Sequence, residues 1–305
     1  MNRRVLLLII GSLLLPLGCG GPMGLERLEP SELCSDHSDV AIATFEDANL
    51  EAASRGALLL VDTQELTCGL VSGLTRLGAR FAGITSLVGI QNLTRLTLLY
   101  LGFDSISDIS ALSGLTSLTF LSLYNNSISD ISALSGLTNL RGIEIARNSI
   151  TDIGVLSRLT SLTFLGLYNN SISDISTLSG LTNLRQLDLG FNSITDLGAL
   201  SGLTSLTFLG LYDNSISDIS ALSGLTSLTD LSLRYTAITD IGPLSGLTSL
   251  TNLSLRYTSI TNIQSLLDNT GLGAGDMVYL QSTNVSCTDV AALQAKGVTV
   301  QSDCP

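Results

Sequence analysis

Apolar side chains recur along this chain with a period of 22 residues. The segment that begins at Leu115 reads LTSLTFLSLYNNSISDISALSG, and similar segments begin at seven other leucines. These are Leu93, Leu137, Leu159, Leu181, Leu203, Leu225 and Leu247. A fixed short period is typical of solenoid proteins, in which each repeat buries its apolar side chains against its neighbours. The pattern therefore predicts eight stacked turns of one solenoid.

Each repeat predicts a short strand, a turn and a short helical return. Leu121 and Leu123 alternate with Ser122, which is the period of a strand with one buried face. Asparagine, serine and aspartate follow and indicate that the chain changes direction. Asp130 then precedes a short apolar segment that ends at Leu134, which is typical of a capped single turn of 3₁₀ helix. Stacked repeats would therefore place their strands side by side in a parallel sheet.

One polar position recurs among the buried leucines. Asparagine occupies it at Asn126, Asn148, Asn170, Asn192 and Asn214. A buried amide both donates and accepts hydrogen bonds, so we expect a structural ladder that satisfies backbone groups of adjacent turns. Asp104 takes this position in the first repeat, and Thr236, Thr258 and Thr283 take it near the end. Because threonine has one donor and is shorter, the ladder should weaken toward the C-terminus.

A second ladder consists of aspartates, which we predict to cap the turns. Its members are Asp108, Asp130, Asp152, Asp174, Asp196, Asp218 and Asp240, with Asn262 last. Binding of Ca²⁺ is the alternative. Each repeat supplies one ligand, however, whereas Ca²⁺ takes six to eight oxygens. We therefore expect neither a metal nor another cofactor.

The repeats resemble the 22-residue leucine-rich repeats of bacterial internalin-like proteins, and the resemblance covers most of the chain. The segment 45–53, FEDANLEAA, resembles the helical N-terminal cap of that family. Residues 77–90 fit a degenerate first turn, 278–285 a divergent last turn, and 289–296 a closing helix before an edge segment at 298–300. The resemblance implies a leucine-rich repeat horseshoe of the α/β class. Its parallel β-sheet would form the concave face, and short 3₁₀ turns would form the convex side.

This comparison divides the chain into five parts. We assign a signal peptide to residues 1–18, a tether to 19–40 and an N-terminal cap to 41–72. Leucine-rich repeats are expected at 73–284 and a C-terminal cap at 285–305. Caps are needed because open ends of a solenoid expose apolar surface and strand edges.

The N-terminal sequence MNRRVLLLIIGSLLLPLGC predicts export. Arg3 and Arg4 precede an apolar run of about 13 residues, which is too short for a comfortable membrane span. The segment resembles a bacterial lipoprotein signal, which implies acylation of Cys19 and anchoring at the outer membrane or cell surface. Pro16 stands where that pattern prefers leucine. An ordinary secretory signal and a retained anchor therefore remain alternatives.

Four further cysteines flank the repeats, with Cys34 and Cys68 before them and Cys287 and Cys304 after them. Four cysteines permit three pairings. Pairing by proximity gives Cys34–Cys68 and Cys287–Cys304, since the other pairings would join opposite ends of an elongated solenoid. An oxidising compartment permits both bonds. Zinc is the alternative, but the cysteine spacing does not fit it and the single histidine is His37.

Charge and composition limit the partners and the chemistry. The net charge is −12, and such an acidic surface repels nucleic acid, which we exclude as a partner. The charge also has a simpler interpretation, namely solubility. One histidine assembles no convincing catalytic triad, and no glycine-rich phosphate loop follows a strand. Glu144 and Asp188 leave a paired-carboxylate hydrolase open, but they fall two strands apart on an open sheet. We therefore expect no enzyme.

Outward positions of the predicted strands carry most of the aromatic residues, and we predict that they bind a ligand. Aromatic side chains on a rigid sheet are typical anchors of recognition surfaces. The aromatics appear in alternate repeats, and duplication of a two-repeat unit is the alternative explanation. The predicted ligand-binding residues are Tyr100, Phe120, Tyr124, Phe164, Tyr168, Phe208, Tyr212, Arg234, Tyr235, Arg256 and Tyr257.

These features together predict an exported, lipid-anchored scaffold that holds a protein partner on its concave face. A carbohydrate or cell-wall binding module is one alternative, and a passive structural protein of the envelope is another. Arg234, Tyr235, Arg256 and Tyr257 form a distinct patch at one end, which suits an acidic or sugar ligand.

Overall fold

A computed structural model describes residues 24–61 and 63–305. Within these residues, eleven parallel strands form one sheet, and each strand pairs with the next in sequence. The strands are β1 Arg76–Gly78, β2 Leu98–Tyr100, β3 Phe120–Ser122, β4 Gly142–Glu144, β5 Phe164–Gly166, β6 Gln186–Asp188, β7 Phe208–Gly210, β8 Asp230–Ser232, β9 Asn252–Ser254, β10 Met277–Tyr279 and β11 Thr299–Gln301. The eight predicted repeats supply β2 to β9, and the atypical ends supply β1, β10 and β11. The predicted leucine-rich repeat solenoid is confirmed.

A constant register aligns equivalent residues of successive repeats. Leu99 lies beside Leu121, and Leu121 lies beside Ile143. Leu121, Leu123 and Ile128 are fully buried, as are their counterparts in the neighbouring repeats. Burying one such side chain contributes about 1.5–3 kcal/mol, and each repeat depends on the next to complete that burial. The result is one apolar core that runs the length of the solenoid.

Short 3₁₀ turns return the chain from one strand to the next, as predicted. They span Ile90–Asn92, Ser110–Leu112, Ser132–Gly136, Gly154–Arg158, Ser176–Gly180, Gly198–Leu200, Ser220–Leu222 and Gly242–Leu244. A carboxylate of the aspartate ladder precedes most of these turns. Asp130 Oδ1, for example, accepts a hydrogen bond of 2.8 Å from the Ser132 amide. Asn262 makes the same contact with Gln264 N at 2.7 Å, so the turn-capping role of this ladder is confirmed.

The asparagine ladder links adjacent repeats through backbone groups. Asn148 Nδ2 donates to Leu123 O and Ile145 O, and its Oδ1 accepts from Ile128 N, each at 3.0 Å. Thr258 Oγ1 donates to Leu255 O of its own repeat at 2.7 Å. Among the described residues it makes no side-chain bond to the preceding repeat. The predicted weakening toward the C-terminus is therefore confirmed.

The N-terminal end of the solenoid is closed by helices α1 Ala48–Ala57 and α2 Cys68–Val71. Helix α1 begins after the predicted position because the Asp47 carboxylate accepts hydrogen bonds from the amides of Asn49 and Leu50. The other Asp47 oxygen accepts from Thr85 N at 2.7 Å, which ties the helix to the first turn. Helix α2, which the sequence pattern did not predict, contains one cysteine of the Cys34–Cys68 disulfide.

Helices α3 Gln264–Asp268 and α4 Cys287–Ala295 close the C-terminal end. The pattern predicted α4 two residues later and did not predict α3. Lys296 Nζ donates to the carbonyls of Leu266, Leu267 and Asn269 at 3.0, 2.8 and 2.6 Å, so it caps α3 from the adjacent segment. The second disulfide joins Cys287 to Cys304. Both predicted disulfides are thus confirmed.

The predicted signal segment and Cys19 lie outside the described residues. In the part of the chain that the structure describes, no helix is long and apolar enough to cross a membrane.

Candidate binding surface on the concave face

The parallel register arranges the outward side chains in columns across the sheet. Phe120, Gly142 and Phe164 lie side by side on β3, β4 and β5, and Tyr100, Ser122 and Glu144 form the next column. A third and a fourth column follow the strands, two and three residues after each strand ends. The eleven predicted residues all lie in these four columns: Phe120, Phe164 and Phe208 in the first, Tyr100 in the second, Tyr124, Tyr168, Tyr212, Arg234 and Arg256 in the third, and Tyr235 and Tyr257 in the fourth. Their common face is the concave surface.

The alternation of aromatic residues with small ones has a packing reason. Gly142 lies between Phe120 and Phe164, whose ring centroids are 6.3 Å apart, and a Cβ at Gly142 would overlap the Phe120 ring. A Cβ at Gly190 would overlap the Tyr212 ring in the same way. The Phe120 ring lies across Gly142 of β4 and the Tyr212 ring lies across Gly190 after β6, so a larger residue at either position would force the ring to move. Ligand binding and duplication, the two explanations drawn from sequence, both missed this constraint.

The aromatic rings of the first six strands engage one another. Phe103 and Tyr124 have ring centroids 5.0 Å apart, and Tyr168 and Phe191 have centroids 5.6 Å apart. The Arg147 guanidinium lies between two tyrosines, 5.8 Å from the Tyr124 ring and 5.5 Å from the Tyr168 ring. Phe103, Arg147 and Phe191 were not among the predicted binding residues, although they share the column of Tyr235 and Tyr257. This part of the surface is an aromatic cluster that extends across neighbouring repeats.

A pocket of about 520 Å³ opens on the concave face over β7 to β10. Such a volume is typical of sites that hold a small molecule or a few side chains. The lining residues are Phe208, Asp230, Leu231, Ser232, Arg234, Tyr235, Asn252, Ser254, Arg256, Tyr257 and Tyr279. Five of the predicted binding residues are among them, and the C-terminal patch seen in the sequence forms one wall.

Two arginines of this pocket stack on tyrosine rings. Arg234 Cζ lies 4.4 Å from the centroid of Tyr212, and Arg256 Cζ lies 4.4 Å from the centroid of Tyr279. Tyr212 follows the strand before Arg234, whereas Tyr279 belongs to the strand after Arg256. The two guanidinium groups therefore lean in opposite directions and leave the pocket between them.

Two tyrosines at the rim of the pocket have an unusual backbone conformation. Tyr235 and Tyr257 have φ angles of 56° and 57°, a left-handed conformation that bulky residues rarely adopt. Their rings stack with centroids 4.2 Å apart and planes 6° apart, and 44 % and 48 % of their surfaces remain exposed. Asn125 and Asn169 occupy the same position in other repeats, and asparagine tolerates this conformation. The tyrosines therefore occupy a position where asparagine would fit the backbone better.

Glu144 and Asp188 lie in one column with Gly166 between them. Burial raises the pKa of both carboxyl groups. The pKa of Glu144 is raised further by the charge of Asp188, while a hydrogen bond from the Ala146 amide opposes the shift. Asp188 accepts hydrogen bonds from Gly190 N at 3.0 Å and from the Tyr212 hydroxyl at 3.1 Å. Each carboxyl group accepts an amide hydrogen bond from its own repeat, and the charge of Arg234, which lines the pocket, opposes the rise of the Asp188 pKa.

Comparison with known proteins gives matches to one structural class. A sequence profile of the family described as leucine-rich repeats (two copies) matches residues 116–158, 160–202, 182–224 and 226–269. Internalin C2 from Listeria monocytogenes is 35 % identical, with 70 % of this chain and 93 % of that chain covered and a TM-score of 0.66. The internalin inlF from the same organism is 28 % identical, with coverages of 85 % and 90 % and a TM-score of 0.70.

A third solved structure, the functional domain of InlJ from Listeria monocytogenes, has a similar fold. It is 23 % identical, with 84 % of this chain and 59 % of that chain covered and a TM-score of 0.68. No curated protein sequence gives a significant match.

Proposed function

Because this chain belongs to the bacterial internalin-like leucine-rich repeat proteins, we propose that it binds a protein partner on the concave face of its sheet. The fold supports a protein-interaction scaffold. The observation that carries the proposal is the pocket over β7 to β10, with aromatic and arginine side chains in its lining. Such residues are frequent anchors of protein interfaces. The proposed function is binding without catalysis or a cofactor.

The partner experiment uses the full chain as bait against proteins exposed on cells or in growth medium. Phe208→Ala combined with Tyr257→Ala should abolish capture, because it removes two anchors from the pocket. Phe81→Ala is the matched control, since Phe81 is an exposed aromatic residue. It follows β1, at the opposite end of the sheet from the pocket. Thermal melting of each variant reports whether the fold is intact. A folded double variant that captures the partner as well as the native chain contradicts the proposal.

We also propose export and a lipid anchor on Cys19, at the outer membrane or cell surface. The two disulfides support an extracytoplasmic location, because such bonds persist in oxidising compartments. Metabolic labelling with a radioactive fatty acid tests the anchor. Label should appear on the native chain and disappear with Cys19→Ser. An unlabelled native chain, or label that survives the substitution, contradicts the anchor.

Carbohydrate or cell-wall binding is the second candidate function. Asp230, Ser232, Asn252 and Ser254 line the same pocket beside its aromatic residues, and their polar atoms suit sugar hydroxyl groups. A glycan array and a peptidoglycan pull-down test this candidate. A glycan signal lost in the Phe208→Ala and Tyr257→Ala double variant would favour it. Absence of any partner, protein or glycan, would leave the passive structural role.

A further inference from the structure

We propose that Arg234 and Arg256 form a two-sided anion site within the pocket, and that an acidic segment of the protein partner occupies it. This inference rests on the binding function proposed above, and it specifies the charge of the partner segment that enters the pocket. The two residues are called the arginine pair below.

The arginine pair retains free hydrogen-bonding capacity. Across residues 24–61 and 63–305, no ion pair engages either guanidinium group. Arg256 Nε donates to Gln281 Oε1 at 2.6 Å and its Nη2 donates to Gln301 Oε1 at 3.0 Å. A guanidinium has five N–H donors, so Arg256 has others available, and Arg234 has no side-chain hydrogen bond in the described structure. Both guanidinium groups can therefore bind an anionic partner without breaking an existing ion pair.

Stacking fixes the orientation of the arginine pair. Each guanidinium lies 4.4 Å from the centroid of a tyrosine ring, Tyr212 for Arg234 and Tyr279 for Arg256. A stacked guanidinium keeps its N–H edges free, and these edges match carboxylates with two parallel hydrogen bonds. Ser232 and Ser254, which precede the two arginines by two residues, line the same pocket. The arrangement presents one pre-oriented guanidinium on each side of a shared opening.

The ring geometry favours a carboxylate-bearing segment over a sugar. Tyr235 and Tyr257 cover each other through stacking, and the arginine pair covers one face each of Tyr212 and Tyr279. Each of these four tyrosine rings therefore has one face occupied within the protein, while the N–H edges of the two guanidinium groups remain available. A carboxylate pairs with such N–H donors, whereas a sugar that stacks on aromatic residues has fewer ring faces open to it.

Charge complementarity supports the same occupant. The chain carries a net charge of −12, so most of its surface repels acidic segments. The lining of the pocket holds the two arginines and one carboxylate, that of Asp230, which makes it a local exception. Asp188 is outside this lining, although the Arg234 charge acts on its pKa. Asp230 lies in the lining on β8, at the opposite end of the strand from Arg234. An acidic segment should therefore direct its carboxylates toward the arginine pair and away from Asp230.

Fluorescence anisotropy with a labelled octaglutamate peptide tests the assignment on the full chain. The peptide should bind the native chain, and added salt should weaken the binding because exposed charges are screened. Arg234→Gln with Arg256→Gln should weaken binding at least about tenfold, since each lost charge-assisted hydrogen bond contributes substantially. Arg234→Lys with Arg256→Lys should also weaken it, because lysine keeps the charge but loses the paired donors.

A charge-matched control separates the site from general electrostatics. Arg141→Gln with Arg185→Gln removes two exposed arginines outside the pocket and should leave octaglutamate binding unchanged. Equal losses in the two glutamine double variants, or no binding to the native chain, overturn the proposal. A labelled heparin octasaccharide is the second probe. If it binds through the arginine pair while octaglutamate does not bind, the site belongs to an anionic glycan and the proposal is overturned.

Failure of this inference differs from failure of the proposed function. If Phe208→Ala with Tyr257→Ala abolishes partner capture and the arginine double variants leave it intact, the binding function stands and the arginine site is overturned. If octaglutamate binds through the arginine pair but no protein partner is captured, the arginine chemistry is supported and the proposed function fails. Circular dichroism melts of all variants confirm that each comparison concerns folded protein.

Discussion

Gly271 packs so closely against Thr248 that a Cβ at position 271 would overlap the Thr248 carbonyl. The fully buried Asn269 holds this contact in place. Its Nδ2 donates to Leu244 O and Leu247 O, both at 3.1 Å, and its Oδ1 accepts from Gly271 N at 2.9 Å. The segment between α3 and β10 is therefore held against the preceding repeat by the buried Asn269 side chain, and Gly271 meets the Thr248 backbone directly.

We predict that Gly271→Ala lowers the free energy of unfolding by about 3 kcal/mol, at the upper end of the usual cost of overpacking. The reason is that the colliding atom belongs to the backbone and cannot rotate away. Gly202→Ala is the control, since no atom lies within 4 Å of a Cβ at that position, and it should change stability by less than about 0.5 kcal/mol. Urea unfolding measures both. Similar stabilities of the two variants would refute the close contact.

Asp104 breaks the asparagine ladder at its first position. Its Oδ1 accepts from Gly83 N at 2.8 Å and Ile84 N at 3.1 Å, but its buried Oδ2 has no hydrogen-bond partner among the described residues. In the next repeat, Asn126 donates from the equivalent position to Leu101 O at 2.8 Å. Aspartate lacks that donor when ionised.

Asp104→Asn should therefore stabilise the protein by about 1 kcal/mol, the usual net contribution of one hydrogen bond. Thermal and urea unfolding both provide the measurement. Asp108→Asn serves as the control, because asparagine already performs the same capping role at Asn262, and little change is expected there. A loss of stability in Asp104→Asn would mean that the position requires a carboxylate.

The repeating part of this fold follows from sequence because a fixed period assigns each residue its neighbours. Leu121 has the burial that its spacing predicts, and Asp130 and Asn148 have the predicted contacts, although Asn148 is only partly buried. The ends were harder to predict, since they depart from the period. Asn252 pairs with Met277, three residues beyond the regular spacing, so the period of 22 does not bring Tyr279 into the pocket.

The site was predictable only in part for a different reason. The columns follow from register, and all eleven predicted residues lie in them. Where a side chain leans within its column depends on which neighbour is small. Gly142 admits the Phe120 ring, and Gly190 admits the Tyr212 ring. Such three-dimensional complementarity leaves no periodic signal of its own beyond the alternation of glycine with aromatic residues.

The left-handed backbone at Tyr257 gives a test of whether this residue serves binding rather than folding. Tyr257→Asn and Tyr257→Ala both remove the ring, but only asparagine suits φ of 57°. We expect the asparagine variant to be more stable than the alanine variant by about 1 kcal/mol, which is the order of the left-handed penalty. Both variants should lose partner capture to the same extent. Equal stability would show that the backbone relaxes when the ring is removed.

Glu144 provides a prediction for pH dependence. Burial, with a contribution from Asp188, raises its pKa above the ordinary value of 4.5 in the folded protein. The folded state therefore favours the protonated form, so the stability from this group is fully present below its unfolded pKa. It is lost as the pH rises through the folded pKa. Glu144→Gln, which mimics the protonated carboxyl group, should raise the melting temperature at pH 7 and leave it nearly unchanged at pH 3.5.

The pKa values of Asp130, Asp174 and Asp218 shift in the opposite direction from that of Glu144. The pH dependence of the native chain alone therefore does not isolate Glu144. The backbone amides of Ser132, Ser176 and Ser220 lower the pKa of these three capping carboxyl groups below 3.8. Their contribution is present above the unfolded pKa and is lost as the pH falls. The native chain and Glu144→Gln share these caps, so the difference between their melting temperatures at each pH isolates Glu144. A difference that stays constant from pH 3.5 to 7 would mean that Glu144 titrates equally in the folded and unfolded states.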